Sequence, residues 1–181
     1  KGKVKVAGNK NSALPLMAAS LLVNGPVQLD NVPKIREVSI MAQIIQGLGG
    51  KFEGAGTNTI RIDATGLSSY EPDRELMGKF RGSVLLIAPL LARFGKARIA
   101  APGGDSIGER LLDTHFELLR EFGATIREKD GVYELDAQDL RPHGIFLNKV
   151  SVTATEIGLI VAASCLGKTV LEDAASEPHV Q

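Results

Sequence analysis

Apolar residues recur at i, i+3, i+4 spacing in five stretches: 11–23, 35–48, 80–94, 110–122 and 152–166. That spacing predicts five amphipathic or buried helices. Short runs between them alternate or are β-rich, which predicts strands. The first is Lys1-Gly2-Lys3-Val4-Lys5-Val6, and further ones cover 97–100 and 144–147. Thr59-Ile60-Arg61-Ile62 follows Gly54-Ala55-Gly56, and Val132-Tyr133-Glu134-Leu135 follows Lys129-Asp130-Gly131. Gly-rich or Asp-Gly turns between such runs predict hairpins.

The order of these elements repeats. A helical run, a Gly and a strand occur around Gly25, Gly95 and Gly167, which are 70 and 72 residues apart. Each Gly is expected to be a left-handed helix C-cap, because it has no Cβ to clash there. A second junction occurs twice, as Ile44-Ile45-Gln46-Gly47-Leu48-Gly49-Gly50-Lys51-Phe52 and Leu118-Leu119-Arg120-Glu121-Phe122-Gly123-Ala124-Thr125-Ile126. The chain is therefore expected to be an α/β protein of repeated βαβαββ units, at about 1–66, 67–141 and a partial 142–181. The third unit stops after one helix and one strand. On the repeat's own length roughly 40 residues are missing, so the 181 residues are expected to be a single incomplete domain of a longer chain.

Composition alters this picture little. Lys+Arg and Asp+Glu are 21 each, and the zero balance argues against nucleic acid or a polybasic membrane anchor. The longest apolar run, Ser83 to Ala92, is too short to span a membrane. The single Cys165 cannot form an internal disulfide, so a reducing cytoplasm is the simplest setting. Cys165 is expected to be a small core residue of the last helix. The three His residues are scattered and are expected to be structural or exposed. No metal-ligand spacing, Walker motif or nucleophile elbow occurs, and no metal or cofactor is expected.

Charge at strand-to-helix turns matters more. Gly8-Asn9-Lys10-Asn11-Ser12-Ala13 opens the first helix, with Asn11 or Ser12 expected as its cap. Free N–H groups, the helix dipole and Lys10 suit an anion there. Ala101-Pro102-Gly103-Gly104-Asp105-Ser106-Ile107-Gly108-Glu109-Arg110 is a loop by its turn chemistry. Asp105 and Arg110 on it suit proton transfer beside an anion, and equally suit a turn cap and a solvated charge. Arg81 stands near a helix start, where a cation is tolerated if it faces an anion. Lys149-Val150-Ser151-Val152-Thr153 opens the last helix. If repeats place equivalent loops on one face, Lys10, Arg110 and Lys149 converge into an anion site in a neutral protein.

These residues carry a resemblance. The chain resembles the N-terminal half of the UDP-N-acetylglucosamine enolpyruvyl transferase (1-carboxyvinyltransferase) family over essentially its whole length. The landmarks are Gly8 through Pro15, Asn31-Val32-Pro33-Lys34, Leu90 through Gly95, Pro102-Gly103-Gly104 through Arg110, Lys149 through Val152, and Glu177-Pro178. The motifs of the related 5-enolpyruvylshikimate-3-phosphate synthase fit less well. The resemblance implies a cytoplasmic two-domain transferase built as inside-out α/β barrels. It would move enolpyruvyl from phosphoenolpyruvate to the 3′-hydroxyl of UDP-N-acetylglucosamine and release phosphate, the first committed step of peptidoglycan synthesis, with its ties to cell shape, cell cycle and division.

By position, Lys10 and Asn11 would meet phosphoenolpyruvate and Arg81 the nucleotide sugar. Arg110 would meet the phosphate of phosphoenolpyruvate. Arg110, Leu111, Leu112, Asp113 and Thr114 would border the nucleotide sugar, and Lys149, Val150, Ser151 and Val152 would hold its uridine diphosphate part. Lys10 and Asp105 would be catalytic. The family's proton-donor loop usually carries Cys where this chain has Asp105. A carboxyl can protonate carbon if its pKa is raised from near 3.9, and it cannot form the thioether that Cys forms with fosfomycin, so insensitivity is expected. The second domain supplies a base and an Arg, so these 181 residues alone are expected to be inactive. The substitution at 105 also leaves a non-catalytic nucleotide-sugar-binding paralogue as the alternative.

Overall fold

The computed structural model describes residues 1–103 and 112–181. Its elements in order are α1 (Lys10–Ala19), β1 (Pro26–Leu29), α2 (Arg36–Gly47), β2 (Lys51–Glu53), β3 (Ile60–Asp63), α3 (Arg74–Met77), α4 (Ile87–Phe94), β4 (Lys96–Ala100), α5 (Asp113–Glu121), β5 (Thr125–Lys129), β6 (Val132–Asp136), β7 (Gly144–Phe146), α6 (Val152–Ser164) and β8 (Val170–Glu172). A 3-10 turn follows α1 at Ser20–Leu22, and another precedes α4 at Arg81–Leu86.

The first two sheets have one topology. β3 lies between β1 and β2, and β6 lies between β4 and β5, with every pairing antiparallel. The registers match as well. Val27, Ile62 and Phe52 form one cross-strand row, and Ala97, Leu135 and Ile126 form its counterpart. The central residue of each row, Ile62 or Leu135, is buried. β7 and β8 pair in parallel, with α6 as the crossover between them.

The junctions into β2 and β5 show why these runs were recognisable. Gly49 and Gly123 take φ of 99° and 100°. Gly49 N–H donates to Gln46 and Gly50 N–H to Ile45, while Gly123 N–H donates to Arg120 and Ala124 N–H to Leu119. Both are Schellman closures, in which a residue with positive φ satisfies the last helical carbonyls. Of the three glycines expected as left-handed C-caps, only Gly95 is one. Gly25 and Gly167 have φ of 149° and 128° and sit past helix ends capped by Val23 and Cys165.

α6 is buried over most of its length and packs against α4 and α5. At Gly158 an added Cβ would lie 2.9 Å from a Leu171 methyl and 3.3 Å from one of Leu118, so the glycine permits this approach. Arg93, at the end of α4, donates to the Leu21 carbonyl at 2.8 Å and the Ala64 carbonyl at 3.2 Å, tying the second helix–sheet unit to the first.

Three expectations need correction. Residues 1–6 form no strand: Val4 and Val6 are 90% and 81% exposed, so the alternating pattern has no described edge to pair with. α1 is capped by Asn9, whose side chain accepts from Asn11 N–H at 2.9 Å, and not by Asn11 or Ser12. Cys165 is the C-cap of α6 and only partly buried, rather than a residue within the helix core. Among the described residues no helix is long and apolar enough to cross a membrane.

Candidate functional site

The starts of α1 and α6 face a common region beside the 3-10 segment that begins at Arg81. A cavity of about 530 Å³ is lined by Lys10 and Asn11 of α1, Arg36 and Glu37 of α2, Arg81, and Val152, Thr153 and Glu156 of α6. A second, of about 630 Å³, is lined by Asp113, Thr114 and His115 of α5 and by Lys149, Val150 and Ser151 before α6. Arg81, Val152 and Thr153 line both. The fold thus gathers Lys10, Asn11, Arg81, Asp113, Thr114, Lys149, Val150, Ser151 and Val152 into two adjoining hollows. Leu112 is buried behind them, at the residue preceding α5. Asp105, Arg110 and Leu111 lie outside the described residues. Gly103, two residues before Asp105, packs against Gly78, which lines the first cavity.

Local chemistry positions each group. Lys10 follows its cap Asn9 directly, and its Nζ lies 3.3 Å from Glu37 Oε1. Glu37's carboxyl is held below its usual pKa by its own backbone N–H, with Lys10 helping against partial burial. Ser151 caps α6 by accepting from Ala154 N–H at 3.3 Å. That role accounts for Ser151 structurally, and it aims the first turn of α6 at the cavities. Lys149 is exposed.

Two cavity-lining positions were missed from the sequence. His115 is 3% exposed, and its Nε2 lies 2.7 Å from Thr153 Oγ1, linking α5 to α6. Burial, with Arg81 nearby, lowers its pKa to about 4, so it is a neutral imidazole at physiological pH. Glu156 is 6% exposed, and burial, with Glu177 nearby, raises its pKa to about 7. The available signal was a lone acid in an otherwise uncharged helix. For His115 it was a His on the apolar face with Phe116, Leu118 and Leu119.

The sequence profile of the EPSP synthase (3-phosphoshikimate 1-carboxyvinyltransferase) family matches residues 1–181. The chain belongs to the EPSP synthase family. Within that family it is 44% identical over 180 residues to the UDP-N-acetylglucosamine 1-carboxyvinyltransferase of Bradyrhizobium diazoefficiens. It is 45% identical over 180 residues to that of Treponema pallidum. Each alignment covers 99% of this chain and 42% of the relative, so the chain spans about two-fifths of those proteins. The crystal structure of the enolpyruvyl transferase NikO from Streptomyces tendae superposes with a TM-score of 0.86 at 27% identity, covering 99% of this chain and 42% of that one. EPSP synthase from Acinetobacter baumannii superposes with a TM-score of 0.77 at 19% identity over the same shares, a likeness of fold alone. The EPSP synthase-family fold is the enolpyruvyl transferase fold expected from the motifs.

Proposed function

We propose that this chain is the N-terminal part of a UDP-N-acetylglucosamine 1-carboxyvinyltransferase acting in peptidoglycan synthesis in the cytoplasm. It holds three repeat units, at about 1–66, 67–141 and a partial 142–181, and a second domain of the same protein completes the cleft. The observation that carries the reading is the pair of adjoining cavities that share Arg81, with Lys10 on one and Lys149 on the other. Phosphorylated substrates suit hollows that carry cations: Lys10, Arg36, Lys79 and Arg81 line the first, and Lys149 with Arg81 lines the second beside Asp113 and Glu117. The names of relatives that align with 99% of the chain support the same substrates.

Lys10 and Asn11 would take phosphoenolpyruvate with Arg110, and Lys149 through Val152 the uridine diphosphate, bordered by Leu111 through Thr114. The sugar hydroxyl oxygen adds to C2 of phosphoenolpyruvate, giving its proton to the base that the second domain supplies, while the methylene carbon of phosphoenolpyruvate takes a proton. Loss of phosphate and of a proton from the resulting methyl group restores the double bond on the sugar ether. Asp105 is the proton donor in this reading. Gly103, two residues earlier in the sequence, packs against Gly78 of the first cavity's lining, and that supports this reading. Arg110 would depress the Asp105 pKa, so burial in the closed site must raise it.

Phosphate release from the full-length protein, given both substrates, tests this. Activity is expected to vanish in Asp105→Asn, to persist in Asp105→Cys, and to resist fosfomycin until Cys is introduced. Full activity of Asp105→Asn, or potent inhibition of the unaltered protein by fosfomycin, refutes the role of Asp105. Nucleotide-sugar binding without turnover would instead mark a non-catalytic paralogue, the reading that Asp105 in place of Cys favours.

A further inference from the structure

We infer that Glu156 is a ligand-facing residue of the first cavity: its carboxyl, backed by His179, accepts a hydrogen bond from a hydroxyl or amide N–H of the substrate's amino sugar. The inference rests on the function proposed above and names a contact to the uncharged part of that substrate.

Position is the first argument. Val152, Thr153 and Glu156 lie at i, i+1 and i+4 on α6, so they share one side of the helix, and all three line the cavity with Lys10 and Arg81. The Glu156 side chain is 7% exposed, yet it borders this hollow.

Its partners are the second argument. Among the described residues Glu156 makes no hydrogen bond, and its close polar neighbour is His179, whose Nε2 lies 3.6 Å from Oε1. That distance is outside hydrogen-bond range. His179 is itself 8% exposed at its side chain, and its Nε2 has no hydrogen-bond partner. A carboxyl this little exposed and without a hydrogen-bond partner in the protein is poorly satisfied. A ligand in the cavity supplies that partner.

The chemistry of the cavity decides the ligand group. In the proposed function Lys10 and Arg81 take the anions there, and an ionised Glu156 repels phosphate or carboxylate. A hydroxyl or amide hydrogen meets no such repulsion. Burial, with Glu177 adding to it, puts the Glu156 pKa at about 7. In either protonation state one oxygen remains an acceptor, so the contact survives through neutral pH.

Titration calorimetry on the full-length protein, with UDP-N-acetylglucosamine and with UDP, tests the contact. Glu156→Leu removes the acceptor at similar volume, and Glu156→Asp withdraws it by one methylene while keeping its charge. Both variants are expected to bind UDP-N-acetylglucosamine at least tenfold more weakly and UDP within twofold of the unaltered protein. Equal losses for both ligands, or no loss for either, overturn the inference while leaving the proposed function standing. If Glu156→Leu fails to fold, the Glu156→Asp comparison decides alone. If the unaltered protein binds no UDP-N-acetylglucosamine, the proposed function falls and this contact with it.

Discussion

The two cavities on either side of Arg81 solve one electrostatic problem from opposite signs. The first has an acid deep in its wall, Glu156, raised to about 7. The second has a base, His115, lowered to about 4. Burial favours the neutral form of both, since desolvation penalises charge of either sign. Charge offered to a ligand therefore comes from the outer groups: Lys10, Arg36, Lys79 and the shared Arg81 in the first cavity, and Lys149 with Arg81, offset by Asp113 and Glu117, in the second. Inner groups fix shape and hydrogen bonding, and outer groups fix charge.

The cations also differ between the cavities. Lys10 is half-exposed and held by Glu37 at 3.3 Å, while Lys149 is exposed and makes no ion pair among the described residues. A tethered cation is placed before a ligand arrives, which matters most where charge changes during reaction. Lys10→Ala should therefore give the largest effect, a fall in kcat/KM of about 10²–10³-fold in the full-length protein, as for loss of one preorganised donor. Steady-state phosphate release checks it. A loss under tenfold would remove Lys10 from the reacting end and make the two cavities equivalent.

His115 sharpens the comparison through stability. Its folded pKa lies below the usual 6.5. The unfolded chain takes up a proton below pH 6.5, and the folded one does so only near pH 4. The stabilisation is complete above pH 6.5 and is lost as pH falls toward 4, by about 3 kcal/mol in all. Glu156 runs the other way. Its folded pKa is raised, so stability is lost as pH rises from about 4.5 to 7. Urea unfolding at pH 7 and pH 4.5 should show His115→Asn gaining on the unaltered protein by 2–3 kcal/mol toward acid. Parallel pH profiles would mean that His115 is not held neutral.

What could be read in advance follows the same division between local and long-range effects. The Schellman closures at Gly49 and Gly123 were legible because the helix end, the Gly and the next strand are consecutive in sequence. Asn9 was missed as the cap because Asn9, Asn11 and Ser12 are all competent, and only the helix start distinguishes them. The alternation at 1–6 reads as a strand, but a strand also needs an edge, which local sequence does not specify. Lys10, Arg81 and Lys149 were legible as cations at helix starts. The parting of His115 from Glu156 was not, because it depends on how α5, α6 and the 177–179 segment pack together.

The smallest effect should fall on the untethered cation. Lys149 stands at the mouth of the second cavity, two residues before the Ser151 cap, and its charge is largely solvated. A charge-assisted contact in that setting is worth about 1 kcal/mol after screening, so Lys149→Ala should weaken UDP and UDP-N-acetylglucosamine equally, by about five- to tenfold. The difference should shrink as salt rises, since exposed charges are screened within about 10 Å at 0.1 M ionic strength. Phosphoenolpyruvate should bind to the variant unchanged. Calorimetric titrations of the three ligands at two salt concentrations separate the outcomes. A loss confined to UDP-N-acetylglucosamine would move Lys149 to the sugar end, and a loss in phosphoenolpyruvate binding would show that the second cavity does not act as the separate diphosphate site that its geometry supports.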